Sequence, residues 1–144
     1  MNEAGPFVVA AVFCENVLRE VDGCVSAIRM IDGIELSIDG PEPAGGPTFS
    51  CHFLVAIRWA ATGAYTLRLQ IVNPSGSRAP EIRLPTSLIE PTGGAVWNVQ
   101  LTVQAREEGV YWMEVATEET GPLVRSPLRV SKKRKQPSET PPST

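Results

Sequence analysis

Catalysis at neutral pH needs side chains that can move a proton, attack a substrate or hold a metal, and this chain has few. It has a single histidine, His52, and three cysteines, Cys14, Cys24 and Cys51. Catalytic triads and most zinc sites draw on histidine, so the inventory permits one His-dependent site at most. His52 directly follows Cys51. Neighbours on a strand point to opposite faces, so those two do not converge on one metal. Zinc knuckles take ligands in close pairs, whereas the nearest cysteines here, Cys14 and Cys24, are ten positions apart. All three cysteines lie in apolar, strand-like runs and read as core thiols. Phosphate-binding glycine loops, a G-x-S-x-G elbow and a calcium loop are all missing from the sequence. Glu107-Glu108 and Glu118-Glu119 read as solvated turn charge. No catalytic, cofactor-binding or metal-binding residue is assigned, and no cofactor is implied.

The elements that would position such groups are strands. In 49–59, Phe49, Cys51, Phe53, Val55, Ile57 and Trp59 share one parity. Tyr65, Leu67, Leu69 and Ile71 do the same in 64–72, and Trp97, Val99, Leu101, Val103 and Ala105 in 97–105. This period of two is the mark of a half-buried strand. Phe7–Cys14, Cys24–Ile31, Ile34–Ile38, Val110–Thr117 and Leu123–Val130 add weaker strands, and Ile82 and Leu84 a short one. Glu15–Glu20 reads as one helical turn. Thr62-Gly63 reads as a hairpin turn, and the glycine turns at Gly109 and Gly121 as framing the last two hairpins. Residues 39–48, rich in Pro and Gly, read as a crossover between sheets. Pro127, lacking a backbone donor, marks Leu123–Val130 as an edge strand. The predicted fold is all-β: a single immunoglobulin-like antiparallel β-sandwich of about 7–9 strands.

A chain of 144 residues, 42% hydrophobic and 20% charged, suits one soluble domain. It has no apolar run near the ~18 residues of a membrane span. The charge divides unevenly. Residues 1–131 hold nine Arg, no Lys and fifteen acids, a net of −6. Lys132, Lys133, Arg134 and Lys135 against Glu139 give residues 132–144 a net of +3. The expected organisation is a sandwich over 1–131 and a disordered basic Pro/Ser/Thr tail over 132–144. An acidic body disfavours nucleic acid, leaving only weak phosphate contact through those four basic residues. The odd cysteine count and an N-terminus without a positively charged leader favour a reducing cytoplasm.

The sequence A-V-F-C-E at 11–15 is followed by D-G-C-V-S-A-I at 22–28. Then come T-G-A-Y-T-L-R-L-Q-I-V-N-P-S-G at 62–76 and E-G-V-Y-W-M-E-V at 108–115. This order resembles a family of small bacterial proteins known only as a domain of unknown function, whose members are similar to immunoglobulin-like sandwiches. The resemblance spans about residues 7–130. It implies the fold and no catalytic residue. Gly109-Val110-Tyr111 is similar to the tyrosine corner of Greek-key sandwiches.

With so little reactive chemistry, the expected function is a non-enzymatic protein-interaction or structural module that binds another protein or itself. The candidate interface is Tyr111, Trp112, Arg125 and Arg129, on the hairpin that the supposed edge strand would form, with Glu114 and Glu118 adding polar selectivity. A small-ligand module using loops 39–48 and 85–94 at one end of the sandwich is the alternative. An unrecognised enzyme comes third.

Overall fold

Alternating side chains give a strand one dry face, and two such faces must meet to exclude water. In the computed structural model, residues 7–22, 24–58, 63–88, 94–119 and 121–134 are described, and they form nine strands and no helix. These are β1 (Phe7–Arg19), β2 (Val25–Met30), β3 (Gly33–Ile38), β4 (Thr48–Arg58), β5 (Gly63–Val72), β6 (Ile82–Leu88), β7 (Gly94–Gln104), β8 (Gly109–Thr117) and β9 (Gly121–Arg134). Sheet one has the order β2-β1-β4-β7, and sheet two β3-β9-β8-β5-β6. The chain is thus an all-β two-sheet sandwich. Trp59, Gly23, Thr62, residues 89–93 and residues 135–144 lie outside the described residues.

The core is built from the predicted parities. Phe53, Val55 and Ile57 of β4 meet Leu67 and Leu69 of β5, Met113 and Val115 of β8, and Leu128 and Val130 of β9. Each such side chain contributes about 1.5–3 kcal/mol on burial. Phe13 and Phe53, opposite each other on β1 and β4, pack edge to face at 4.9 Å. Trp97 packs against the rim of this cluster. The Ser126 hydroxyl donates to the Ala11 carbonyl at 2.7 Å and ties β9 of sheet two to β1 of sheet one.

Several expectations need correction. Glu15–Glu20 is not helical, because β1 runs on to Arg19 and pairs there with β2. β4 and β5 do not form a hairpin, nor do β7 and β8; each pair is divided between the two sheets. Only β5–β6, β8–β9 and β1–β2 join as antiparallel neighbours in sequence. The sandwich is not wholly antiparallel, since β3 runs parallel to β9 from Gly33↔Arg129 to Ile38↔Arg134. The physical reason lies at Ile31-Asp32. Ile31 N–H donates to Phe13 O in sheet one, while Asp32 O accepts from Arg129 N–H in sheet two. The strand therefore changes sheet in two residues without reversing direction.

β9 is not an edge strand, because β3 and β8 flank it. Pro127 is tolerated for a local reason. Arg129 N–H points toward β3, so by period two the position of Pro127 faces the same way, but β3 begins only opposite Arg129. A missing donor there breaks no ladder bond. Pro85, by contrast, does sit in an edge strand, β6.

The boundary at 131 also moves. β9 continues through Lys132, Lys133 and Arg134, in register with Leu36, Ser37 and Ile38. Lys132 N–H donates to Glu108 Oε1 at 2.6 Å, and its ammonium reaches Glu42 Oε1 at 2.6 Å and Arg106 O at 3.1 Å. Three of the four basic residues are therefore structural. Deleting 132–144 should lower the urea midpoint by the equivalent of more than about 1 kcal/mol relative to deleting 135–144, because the larger deletion alone removes charge-assisted bonds and three ladder positions. Equal midpoints would show that the end of β9 contributes nothing.

Candidate interaction surface

Of the few reactive groups, His52 is hydrogen-bonded, Cys14 and Cys51 are buried and Cys24 is exposed. The His52 ring is tied through Nδ1 to Asn98 Oδ1 at 2.8 Å, across β4 and β7. Cys51 points into the core and Cys14 is fully buried. Burial pushes the Cys51 thiol up to about 11, with the neighbouring Cys14 adding to the rise. Burial also raises Cys14. Thiols shifted this way stay protonated at neutral pH and make poor nucleophiles and metal ligands. Cys24 corrects the expectation of a core thiol. It is exposed, because it precedes the first paired residue of β2 and belongs to the turn, where its N–H donates to Asp22 Oδ1 at 3.0 Å. That bond lowers the Asp22 carboxyl. Among the described residues no three His, Cys, Asp or Glu side chains gather as a metal site would require.

Of the predicted interface residues, Trp112, Arg125 and Arg129 share the outer face of sheet two, whereas Tyr111 turns inward. Tyr111 is 2% exposed and packs in the core with Met113 and Val115. Its hydroxyl donates to Glu107 O at 2.8 Å. Trp112 is half-buried on the outer face of sheet two, where the Arg125 guanidinium stacks 4.4 Å from its ring centre. Such a stack attracts the cation to the ring face and holds the two side chains together. Glu114 pairs with Arg78 at 3.0 Å and Glu118 with Arg83 at 2.7 Å, rather than with Arg125 and Arg129. Arg129 is exposed on β9, an interior strand.

This outer face of sheet two is closed by charge. Arg68 meets Glu81 at 2.6 Å, Glu81 also meets Arg83 at 2.9 Å, and Arg83 reaches on to Glu118. The hydrogen bond from Arg68 is the main reason the Glu81 carboxyl is held at about 2, with Arg83 adding to the effect against some desolvation.

Sheet one is different. Every large hydrophobic side chain exposed among the described residues lies on it or on its β1–β2 turn: Phe7, Val9 and Leu18 on β1, Val21 in the turn, Ile28 and Met30 on β2, and Val96 on β7. Beyond Cys14, β1 leaves β4 and pairs only with β2. Val17, Arg19 and Val25 of this arm line a small cleft together with Val96 and Asn98 of β7, so the arm curls across the outer face of sheet one. Cys14 and Leu54 are buried although their parity turns them away from the core between the sheets. Leu18, Ile28 and Met30 remain exposed on the arm, Met30 at 70%.

The described ends of the two ligand loops of the alternative expectation lie at opposite ends of one ladder, while residues 89–93 of the second loop lie outside the described residues. Thr48, where the first loop ends, pairs with Gln104, whereas Gly94 pairs with Arg58 at the far end of the same ladder. Residues 85–88 belong to β6. A cleft of about 450 Å³ lies between the end of β7 and the β5–β6 loop, with Ile71, Ala79, Thr102 and Tyr111 in its lining. Its Tyr111 hydroxyl is engaged as above, and Glu107 accepts the Ser75 N–H at 2.9 Å.

Two outcomes follow from these environments. In the native protein a thiol reagent should titrate Cys24 rapidly and leave Cys14 and Cys51 untouched until denaturant is added, when three thiols should react. Rapid loss of all three would show an open core. For acid, a lowered carboxyl stabilises the fold above its ordinary value of 4.5, and that contribution is lost as pH falls toward about 2. Urea midpoints should therefore drop across this window in the native chain, and less steeply in Glu81→Gln.

No protein-family model matches the chain, and no curated protein does. Among solved structures, β-glucosidase from Listeria innocua aligns with a TM-score of 0.48 at 15% identity, over 74% of this chain and 15% of that chain. The same enzyme in complex with isofagomine aligns with a TM-score of 0.45 at 12% identity, over 88% and 16%. This chain thus spans only 15–16% of the length of those chains.

Proposed function

We propose that this chain is a non-enzymatic protein-interaction module that works through sheet one. The observation that carries this reading is the asymmetry of the two outer faces. Sheet two closes its surface with ion pairs and a cation–π stack, while the exposed large hydrophobic side chains collect on β1, β2 and β7. Clustered exposed apolar groups, unlike scattered ones, favour contact with another protein surface. The capture of His52 by Asn98 and the raised thiols support a non-catalytic role. The sandwich type we assign is immunoglobulin-like, in keeping with the resemblance to the bacterial domain family. The Tyr111 closure onto Glu107 O supports it. Three free thiols suit a cytoplasmic setting.

A photo-crosslinking side chain placed singly at Met30, Val96, Arg83 or Arg125 in the native cell tests this function. Protein adducts are expected at Met30 and Val96 and not at the two sheet-two positions. Adducts confined to Arg83 or Arg125 would move the interface to sheet two, and no adduct at any position would defeat the interaction reading.

A further inference from the structure

We infer that β7 is the interface strand and that its partner is a second copy of the same chain, paired antiparallel across a two-fold axis to make one continuous sheet. This rests on the proposal that sheet one mediates interaction, and adds the contact and the partner.

A sheet edge exposes a row of unpaired N–H and C=O groups, and natural edges are protected by shortness, charge, proline or a kink. The four edges here differ in this respect. β2 is six residues long and carries Arg29, held at φ 52° and paired with Glu15. β3 is six residues long and carries Glu35. β6 is seven residues long and contains Pro85 and Arg83. β7 is eleven residues long, Gly94–Gln104, with no charged residue and no proline. Its register with β4 runs from Gly94↔Arg58 to Gln104↔Thr48 without a shift.

The direction of its free groups follows from one bond. Ala105 N–H donates to Pro47 O at 2.7 Å, continuing the same register. Odd-numbered residues of β7 therefore turn their backbone groups toward β4. The even-numbered ones, Val96, Asn98, Gln100, Thr102 and Gln104, turn theirs to the open side. No described strand pairs there.

The chemistry of the strand favours a second copy. Two-fold pairing sets a strand against itself, so a charge at the axis meets its own like and every other charge is repeated on the facing strand. β7 instead offers Asn98, Gln100, Thr102 and Gln104, each both donor and acceptor. An axis at Gln100 puts Gln100 opposite the partner's Gln100 and Asn98 opposite the partner's Thr102. The full overlap provides about ten backbone hydrogen bonds, a typical number for a specific interface. On the inner face Trp97 and Val99, half-buried at the rim of the core, would lie beside the partner's Val103 and the partner's Leu101.

Sedimentation of the full chain, with Gln100→Pro and Gln100→Lys variants, tests this. Gln100→Pro removes a donor that faces the open side, so the β4 ladder is kept, and circular dichroism checks that both variants fold. The wild type should be a dimer, and each variant should weaken it at least about tenfold, as expected for a central interface position. In a Cys24→Ser background, Gln100→Cys should oxidise to a covalent dimer, since directly opposed residues of a hydrogen-bonded pair lie about 5.5 Å apart at Cα, within disulfide range. Arg83→Cys on β6 should not. A wild type that stays monomeric overturns the second-copy partner; adducts at Val96 in the cell would then keep sheet one as an interaction surface for a different protein, and their absence would remove both. A dimer that ignores the Gln100 variants but is lost in Leu18→Glu with Met30→Glu would place self-contact on the arm, overturning the β7 assignment alone.

Discussion

Strand β4 is paired along both sides, to β1 from Cys14↔His52 upward and to β7 along its whole length. From His52 to Arg58 it is thus flanked on both sides within sheet one, which frees every second side chain to be dry. Phe53, Val55 and Ile57 use that freedom against both strand pairs at the centre of sheet two. The other strands take their places around this one. β1 must follow β4 as far as Phe13 to close the aromatic pair, and only beyond that point can it leave to form the arm. β9 must lie near β1 for Ser126 to reach Ala11 O. Replacing Phe53 by a small residue would leave a cavity where both sheets meet, and such losses cost about 3–5 kcal/mol.

The faces of the strands were legible in the sequence because side-chain direction has a period of two, independent of partner. Which strands pair was not legible, because alternation says that a residue points inward without saying from which sheet. β4 and β5 follow each other across a short connection and share one parity, yet they sit in opposite sheets. Proline was equally ambiguous. At Pro85 it marks a true edge, and at Pro127 it marks an interior strand before its parallel neighbour begins. The basic run at 132–134 looked like tail because Lys and Arg favour solvent. Its pairing with β3 depends on the sheet change at Ile31-Asp32, which composition does not encode.

For the proposed interaction surface, alternation in the sequence already separates two of the candidate residues. Tyr111 shares its parity with Met113 and Val115, so alternation alone places it in the core, and Trp112 on the opposite face. The partner of Trp112 was also within reach, since Arg125 lies opposite Glu114 in the β8–β9 register, one diagonal step from the ring. Sheet one could not be singled out before the strand order was known. Met30 and Val96 are unremarkable apolar residues in sequence, and an edge exists only once the neighbours of each strand are fixed.

The two outer faces show how one sandwich can divide its physical roles. Ion pairs on sheet two are individually weak in water. Linked from Arg68 through Glu81 and Arg83 to Glu118, they bind β5, β6 and β8 together, and they leave little unpaired charge to recognise a partner. Sheet one has no comparable network on β7, whose polar side chains make neutral cross-strand contacts such as Ser50 with Thr102. Neutral hydrogen bonds of this kind can be shared or rearranged when another strand arrives, whereas breaking a charged pair during docking would leave an ion without its counterpart. The same substitution should therefore act differently on the two sheets. A charge added to β7 would leave the fold standing and block the proposed association, while removing the Glu81 charge from the sheet-two network would weaken the fold at neutral pH and progressively less in acid, without changing what the protein can touch.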